Sequence, residues 1–127
     1  MKRVILGLTE QVIVIGNNSE EEKVTARIDT GATASSIDSS LAKKLELKQI
    51  ERFKIVKSAS GIKRRPIVKV KIKMNGSMIE DEFTLADRSH MTYPLLIGQN
   101  ILKKGNFMVD PNKPAEGGAK NSEDFSA

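Results

Sequence analysis

The chain of 127 residues carries 21 Lys and Arg against 16 Asp and Glu, a formal charge of +5, and 39% of its residues are hydrophobic. This length and composition are typical of one globular domain that can build a core without metals or disulfides. There is no cysteine and only one histidine, His90, which excludes a disulfide scaffold, a thiolate zinc site, a cysteine nucleophile and a two-histidine metalloprotease motif.

The distribution of apolar residues gives no sign of a membrane segment. No apolar run approaches the roughly 18 residues that a spanning helix requires, and the apolar stretch at the N-terminus is too short for a signal peptide. We therefore expect no membrane partner. The lack of cysteine and of a signal also predicts a cytoplasmic location.

Alternation of apolar and polar residues predicts that most of the chain forms short strands. In chain order the predicted strands cover residues 2–8, 11–16, 24–28, 68–74, 78–85, 95–98 and 106–109. Asn75-Gly76 predicts a tight hairpin turn between two of them. Two short helices are expected, one capped at Asp38 and running to Leu45, the other over residues 99–104 and ended by Gly105.

These elements predict an all-β fold, a small barrel or sandwich, in a single domain over residues 1–110. Residues 111–127 are rich in Pro, Gly, Asn, Ser and charged residues and contain one Phe. Because this stretch has too little apolar content to fold, we expect a disordered C-terminal tail.

The excess positive charge is concentrated in one segment. Between Arg52 and Lys73 there are nine Lys or Arg and no Asp or Glu, whereas the rest of the chain has 12 basic and 16 acidic residues. Such a patch can attract nucleic acid, a membrane surface or an acidic peptide, and the alternative is a solvated hairpin with lysines on its wet face.

A second segment, residues 26–37, has the pattern of a catalytic loop. An apolar strand leads directly into Asp29-Thr30-Gly31, and small residues follow until Ile37. Asp-Thr-Gly alone is a weak signal, since it also occurs in ordinary surface turns. Apolar residues before it and small residues after it are not expected of a surface turn.

This segment resembles the active-site loop of retroviral aspartic proteases, the retropepsins. Residues 93–102, Tyr-Pro-Leu-Leu-Ile-Gly-Gln-Asn-Ile-Leu, resemble the apolar-apolar-Gly element and the helix that follows it in those enzymes. Over residues 3–111 the chain is also similar to a bacterial and archaeal retropepsin-like family that often carries the label of ATP-dependent zinc protease. The blocks that carry this similarity are residues 63–68, 83–89, 96–100 and 107–110.

The resemblance implies a closed acid-protease barrel with one or two short helices. It implies that Asp29, Thr30 and Gly31 are catalytic, and that Ile37, Leu96, Ile97 and Gly98 pack under the loop and support it. It also implies a hairpin flap over residues 55–70 with its tip at residues 58–62. The predicted substrate-binding residues are Ala32, Ser58, Ala59, Ser60, Gly61, Lys63, Arg64 and Arg65.

Aspartic proteolysis needs two carboxylates that share one proton. The chain has one Asp-Thr-Gly and is too short for a second lobe, so the hypothesis requires a two-fold homodimer with Asp29 from each subunit at the axis. Zinc catalysis needs three protein ligands and ATP use needs a phosphate loop. Neither is present, and we expect no metal and no cofactor.

The sequence thus predicts a homodimeric aspartic endopeptidase that acts on a peptide or protein. The basic segment favours acidic peptides, and the family's frequent association with ligases that add glutamate tails to ribosomal protein agrees with this. One alternative is a catalytically silent peptide-binding module. A second is a nucleic-acid binder that uses the basic hairpin, against which stands the scarcity of aromatic residues, four Phe and one Tyr.

One departure from the viral pattern concerns an ion pair. In the viral enzymes an acidic residue after Asp-Thr-Gly-Ala pairs with an arginine after the second glycine. Here these positions are Thr33 and Gln99. The loss of both charges together predicts a neutral hydrogen bond in their place.

Overall fold

The computed structural model describes residues 3–115, which form nine strands and two short helices. The strands are β1 (Ile5–Leu6), β2 (Thr9–Ile15), β3 (Glu21–Ile28), β4 (Ser35–Asp38), β5 (Gln49–Ser58), β6 (Gly61–Met74), β7 (Ser77–Ala86), β8 (Leu95–Ile97) and β9 (Met108–Val109). The helices are α1 (Ser39–Lys44) and α2 (Gln99–Lys104).

Six of the strands close into a barrel. Their order is β2-β3-β8-β4-β7-β6, and β6 pairs back with β2. β5 pairs only with β6 and extends the sheet as an edge, while β1 and β9 form a separate parallel pair. The predicted all-β barrel with two short helices is confirmed.

Strand alternation places the core inside this barrel. Along β6, Val68, Val70 and Ile72 are buried whereas Lys69 and Lys71 are exposed, as expected of a strand with one wet face. Phe83 of β7 is the largest fully buried side chain. The predicted turn at Asn75-Gly76 joins β6 to β7, and both residues have positive φ, 49° and 81°.

The start of α1 differs from the prediction. Asp38 is the N-cap residue, but its side chain makes no capping hydrogen bond. Its Oδ1 instead accepts a hydrogen bond from the backbone N–H of Arg88 at 2.8 Å. The carboxylate therefore ties α1 to the loop after β7, a contact that local sequence rules do not anticipate.

The predicted C-terminal tail lies partly outside the described residues. Residues 116–127 are not described. Within the described part, the Lys113 N–H donates to the Asp110 carbonyl at 3.1 Å, and Lys113 Nζ donates to the Ile5 carbonyl at 2.7 Å. The domain boundary at residue 110 and the disordered tail stay predictions.

Glu10 of β2 is a buried carboxylate, only 2% exposed, that joins three parts of the chain. It accepts hydrogen bonds from Gly7 N at 2.7 Å, Lys113 Nζ at 2.9 Å and Asn75 Nδ2 at 3.1 Å. Burial by itself would raise the pKa of Glu10. The hydrogen bonds and the charge of Lys113 outweigh burial and hold the pKa below its ordinary value of 4.5.

This cluster predicts a pH-dependent contribution to stability. Because the unfolded chain binds the proton more readily, the contribution of Glu10 is complete above pH 4.5 and is lost as pH falls through the lowered folded value. We expect Glu10→Gln to reduce the free energy of unfolding at neutral pH by about 1–3 kcal/mol. Urea unfolding of both proteins should show this difference shrinking at about pH 3. A difference that stays constant between the two pH values would contradict the assignment, and Glu51→Gln, at an exposed site, is the control.

Candidate active site

The loop that carries Asp29 is fixed to β8 and α2 by backbone hydrogen bonds. The Asp29 N–H donates to the Ile97 carbonyl at 2.9 Å, and the Gln99 N–H donates to the Ala32 carbonyl at 2.7 Å. Within the loop, the Ala32 N–H donates to the Asp29 carbonyl at 3.3 Å. Backbone hydrogen bonds therefore join the loop to the second resembling segment, about 65 residues away in sequence.

The catalytic triplet suggested by the sequence lies at the surface of the single chain. Asp29 is half-buried, and its Oδ1 accepts a hydrogen bond from Gly31 N at 2.9 Å. Thr30 and Gly31 are exposed. The Thr30 hydroxyl makes no hydrogen bond within residues 3–115, which leaves it available to a group outside this chain.

Gly98 lies directly beneath this loop. A Cβ atom built at Gly98 would lie 2.9 Å from the Ala32 carbonyl oxygen and closer still to that of Ala34. Its φ of −103° suits any residue, so the need for glycine here comes from close backbone approach alone. At Gly31, by contrast, a Cβ would meet only Asp29 Oδ1 at 3.4 Å.

The other predicted supporting residues also lie beneath or beside the loop. Ile37 and Ile97 are fully buried in the barrel core, and Ile97 supplies the carbonyl that holds Asp29. Leu96 is half-buried between β3 and β4.

A polar network that the sequence analysis missed links the loop to β7. Ser35 Oγ accepts from Gly98 N at 2.8 Å and donates to Asn100 Oδ1 at 2.7 Å. Asn100 Nδ2 donates in turn to the Glu82 carbonyl at 2.9 Å. Ser35 is fully buried, and such a satisfied buried network fixes a single geometry. The only signal in the sequence was the polar Asn100 after an apolar-apolar-Gly run.

Gln99 makes the neutral hydrogen bond that was predicted, but with a different partner. Its Nε2 donates to the Thr30 carbonyl at 2.8 Å. Thr33 was the expected partner by position. The Gln99 side chain therefore holds the turn formed by residues 29–31.

The predicted flap corresponds to the hairpin of β5 and β6. Ser58 pairs with Gly61, and Ala59 and Ser60 form the turn between them. Gly61 has a φ of 122°, which a residue with a side chain rarely adopts. The turn and the first residues of β6 are exposed.

The register of this hairpin separates the predicted substrate-binding cations. Side chains directly opposite each other on paired strands share a face. One face, called the inner face below, carries Lys54, Val56, Lys63 and Arg65. The other, called the outer face, carries Phe53, Ile55, Lys57, Ile62 and Arg64. Three of the four inner-face side chains are half-buried whereas all outer-face side chains are exposed, so the inner face turns toward the body of the protein.

On the outer face, the Arg64 guanidinium lies 5.3 Å from the centre of the Phe53 ring. Arg64 is therefore separated from Lys63 and Arg65, which point the other way. The three cations grouped together by the sequence analysis do not form one surface.

A cavity of about 340 Å³ lies between the end of the Asp29 loop and the base of the hairpin. Its lining includes Thr33 and Ala34 from the loop, and Lys54, which the sequence analysis missed. An ion pair between Arg52 and Glu82 lies in its wall. A larger cavity of about 450 Å³ at the Asn75-Gly76 turn shares no residue with the Asp29 loop.

Arg88 is a further buried cation near the loop that the sequence analysis assigned to no site. Its Nη1 donates to Ser36 Oγ at 3.1 Å and its Nε to the Tyr93 carbonyl at 2.9 Å. Burial lowers the pKa of Arg88, and the positive charge of Arg65 lowers it further while Asp38 opposes the shift.

Two further properties bear on the predictions of partners and cofactors. Among residues 3–115, no three His, Asp or Glu side chains come together in a group that could hold a metal ion. None of the helices in this range has the length and apolar character needed to cross a membrane.

Solved structures with a similar fold include bacterial and viral proteins. A protein of unknown function, Lpg0085 of Legionella pneumophila, is 23% identical with a TM-score of 0.64, over 88% of this chain and 96% of its own. The EIAV protease in complex with the inhibitor HBY-793 is 19% identical with a TM-score of 0.58, over 80% of this chain and 90% of its own. The Simian Foamy Virus protease is 16% identical with a TM-score of 0.55, over 75% of this chain and 91% of its own. No curated protein matches the sequence.

The likeness to these structures shows a retropepsin fold. A family model described as the retropepsin-like aspartic endopeptidase RimB matches residues 38–115, more than half of the chain. The matched part contains the hairpin, Arg88 and the apolar-apolar-Gly element, and begins after the Asp29 loop. The chain belongs to this RimB-like family of retropepsin-like proteins.

Proposed function

We propose that the protein is an aspartic endopeptidase whose active site forms from two copies of the chain. The observation that carries the proposal is the Asp29 loop itself. Its backbone is held by Ile97 and Gln99, yet Asp29 is only half-buried and Thr30 is exposed in a single subunit. A rigid, exposed half-site is what two-fold assembly of a carboxylate pair requires.

In the proposed dimer, the two Asp29 carboxylates share one proton because like charges so close together cannot both ionise. One carboxylate acts as general base toward a water molecule, and the other donates a hydrogen bond to the scissile carbonyl. The Thr30 hydroxyl, which has no partner within residues 3–115, bonds across the interface. Gly31 leaves room for the peptide backbone.

Exposed apolar side chains near the loop support pairing with a second copy. Val4, Ile5 and Met108 on or beside the β1–β9 pair are exposed, as is Leu8. Leu8 is next to the site, since its carbonyl accepts the Ile28 N–H at 2.9 Å. An interface with a second copy would cover exposed apolar side chains of this kind.

This arrangement predicts that activity depends on protein concentration. Below the dissociation constant of the dimer the carboxylate pair separates, so specific activity should fall as the protein is diluted. Sedimentation over the same concentrations should show monomer appearing in parallel with the loss. Constant specific activity in a purely monomeric sample would contradict the shared site.

Cleavage of an internally quenched peptide library with Glu at alternate positions, assayed between about pH 4 and 7, tests the proposed activity. The basic hairpin is the reason for choosing acidic peptides. Loss of signal in the Asp29→Asn protein is the control for contaminating proteases.

A catalytically silent peptide-binding module is the second candidate. The observation that favours it is that the family model matches from residue 38 onward, so family membership does not rest on Asp29. Such a module would bind the acidic peptides and cleave none of them. Nucleic-acid binding by the hairpin gains no support from aromatic stacking, because Arg64 already lies over Phe53, the one aromatic residue of the hairpin.

A further inference from the structure

Arg88 presents a fixed and partly unused guanidinium. The residue is only 9% exposed, and two of its three side-chain nitrogens are held by Tyr93 and Ser36. The third, Nη2, donates no hydrogen bond within residues 3–115. Since every fully buried side-chain nitrogen and oxygen of the described residues has a partner, Nη2 must be reached by solvent.

The positive charge of Arg88 has no carboxylate beside it. Within residues 3–115, no Asp or Glu oxygen lies within 4.0 Å of the guanidinium. The nearest candidate, Asp38, accepts the backbone N–H of Arg88 instead. The other charge felt by Arg88 is that of Arg65, which is also positive. A buried cation in this setting is stabilised by an anion from outside.

The pairing of the strands places Arg88 on the same side of the barrel wall as the catalytic loop. Directly paired residues form one row across five strands: Arg27, Leu96, Ser36, Thr84 and Ile67. The residues next to them in sequence, such as Ala26, Leu95 and Phe83, fill the core. The row therefore faces away from the core, although Ser36, Thr84 and Ile67 are themselves covered and buried.

Both the Asp29 loop and the hairpin adjoin this row. Arg65 precedes Ile67 by two residues within β6 and so keeps the orientation of the row, and Asp29 begins the loop that follows Arg27 and Ile28 at the end of β3. Ser36 lies in its middle and is covered by Arg88. Arg88 thus lies between the Asp29 loop and the inner face of the hairpin.

We propose that Arg88, through Nη2, is a specificity-determining residue that binds a carboxylate side chain of the peptide, with Arg65 adding a second positive charge. The assignment rests on the proposed peptide site but not on cleavage. Because Nε and Nη1 are held by hydrogen bonds and the guanidinium is planar, Nη2 already has a fixed orientation before the peptide binds. This reduces the conformational entropy lost on binding. Lys63 shares the inner face and contributes charge only.

The test measures binding in the Asp29→Asn background, so that no cleavage interferes. The probes are a fluorescein-labelled octapeptide of alternating Glu and Leu and its Gln-Leu counterpart, followed by fluorescence anisotropy. We expect tighter binding of the Glu peptide, and a loss of about tenfold in its affinity with Arg88→Gln. Affinity for the Gln peptide should fall by much less, because a neutral amide oxygen is the weaker acceptor for Nη2. Lys71→Gln, an exposed cation on the same strand as Arg65, controls for net charge.

A purely structural role for Arg88 would weaken binding of both peptides equally. Because Arg88→Gln removes two buried hydrogen bonds and can fail to fold, Arg88→Lys is measured as well. It keeps the charge but loses the fixed geometry, and should also lower the Glu-to-Gln affinity ratio. Circular dichroism shows which of the two variants is folded. An unchanged Glu-to-Gln affinity ratio in a folded variant would overturn the proposal. Equal affinity of the Asp29→Asn parent protein for the two peptides would overturn it as well. If the protein binds the Glu peptide selectively but the wild type cleaves no peptide, the role proposed for Arg88 stands and the proposed peptidase activity is refuted.

Discussion

Asp29→Asn should abolish peptidase activity while the protein remains folded. The amide retains an Oδ1 that accepts the Gly31 N–H, so the turn keeps its geometry. It cannot share a proton with its counterpart or act as a general base, and a loss of at least about 10³-fold in kcat/KM is expected. Thermal unfolding and sedimentation should match wild type.

The chain contains a closely matched control for this substitution. Asp110 Oδ1 accepts the N–H of the residue two positions later, Asn112, at 2.9 Å, as Asp29 does with Gly31. Asp110→Asn therefore makes the same chemical change in the same kind of turn and should keep full activity. Wild-type-like cleavage by folded Asp29→Asn protein would end the aspartic hypothesis.

Gly98→Ala and Gly31→Ala should impair the protein in two different ways. At Gly98 the new methyl group would collide with the Ala32 and Ala34 carbonyls, which are backbone atoms that cannot rotate away. We expect a loss of stability of about 1–3 kcal/mol and displacement of the loop. Denaturant unfolding and a peptide cleavage assay on both variants measure the two effects.

At Gly31 the methyl group meets only the Asp29 carboxylate at ordinary contact distance. The single chain tolerates it, so stability should change by no more than about 0.5 kcal/mol. Activity should nevertheless fall by about 100-fold if the peptide or the partner subunit must approach this backbone closely. Full activity of Gly31→Ala would show that nothing approaches the turn, and would move the substrate path elsewhere.

Local chemistry was sufficient to predict those parts of the fold and of the site that are continuous in sequence. The apolar strand before Asp29 and the small residues after it predicted the loop. Asn75-Gly76 predicted its hairpin because two positive φ values are required there. Gly105 likewise marked the end of α2.

Contacts between distant segments were beyond sequence reasoning. The hydrogen bond from Ser35 Oγ to Asn100 Oδ1 depends on the pairing of β4 with β8. The local sequence of neither strand indicates that the two strands pair. Arg88 sits in a polar stretch that reads as a surface loop, yet folding buries it against Ser36. Charge counting could locate the basic hairpin but could not divide it into two faces, since that division follows from register across an irregularity between Ile50 and Phe53.

Mixing wild-type subunits with Asp29→Asn subunits tests the shared active site most directly. If each site needs one Asp29 from each of two chains, random pairing at equal amounts leaves about half of the wild-type activity, and excess variant suppresses it further. Asp110→Asn subunits, mixed in the same way, should cause no loss. Wild-type activity that is untouched by any excess of Asp29→Asn, in a sample shown to exchange subunits, would mean that one chain carries a complete site and would contradict the account.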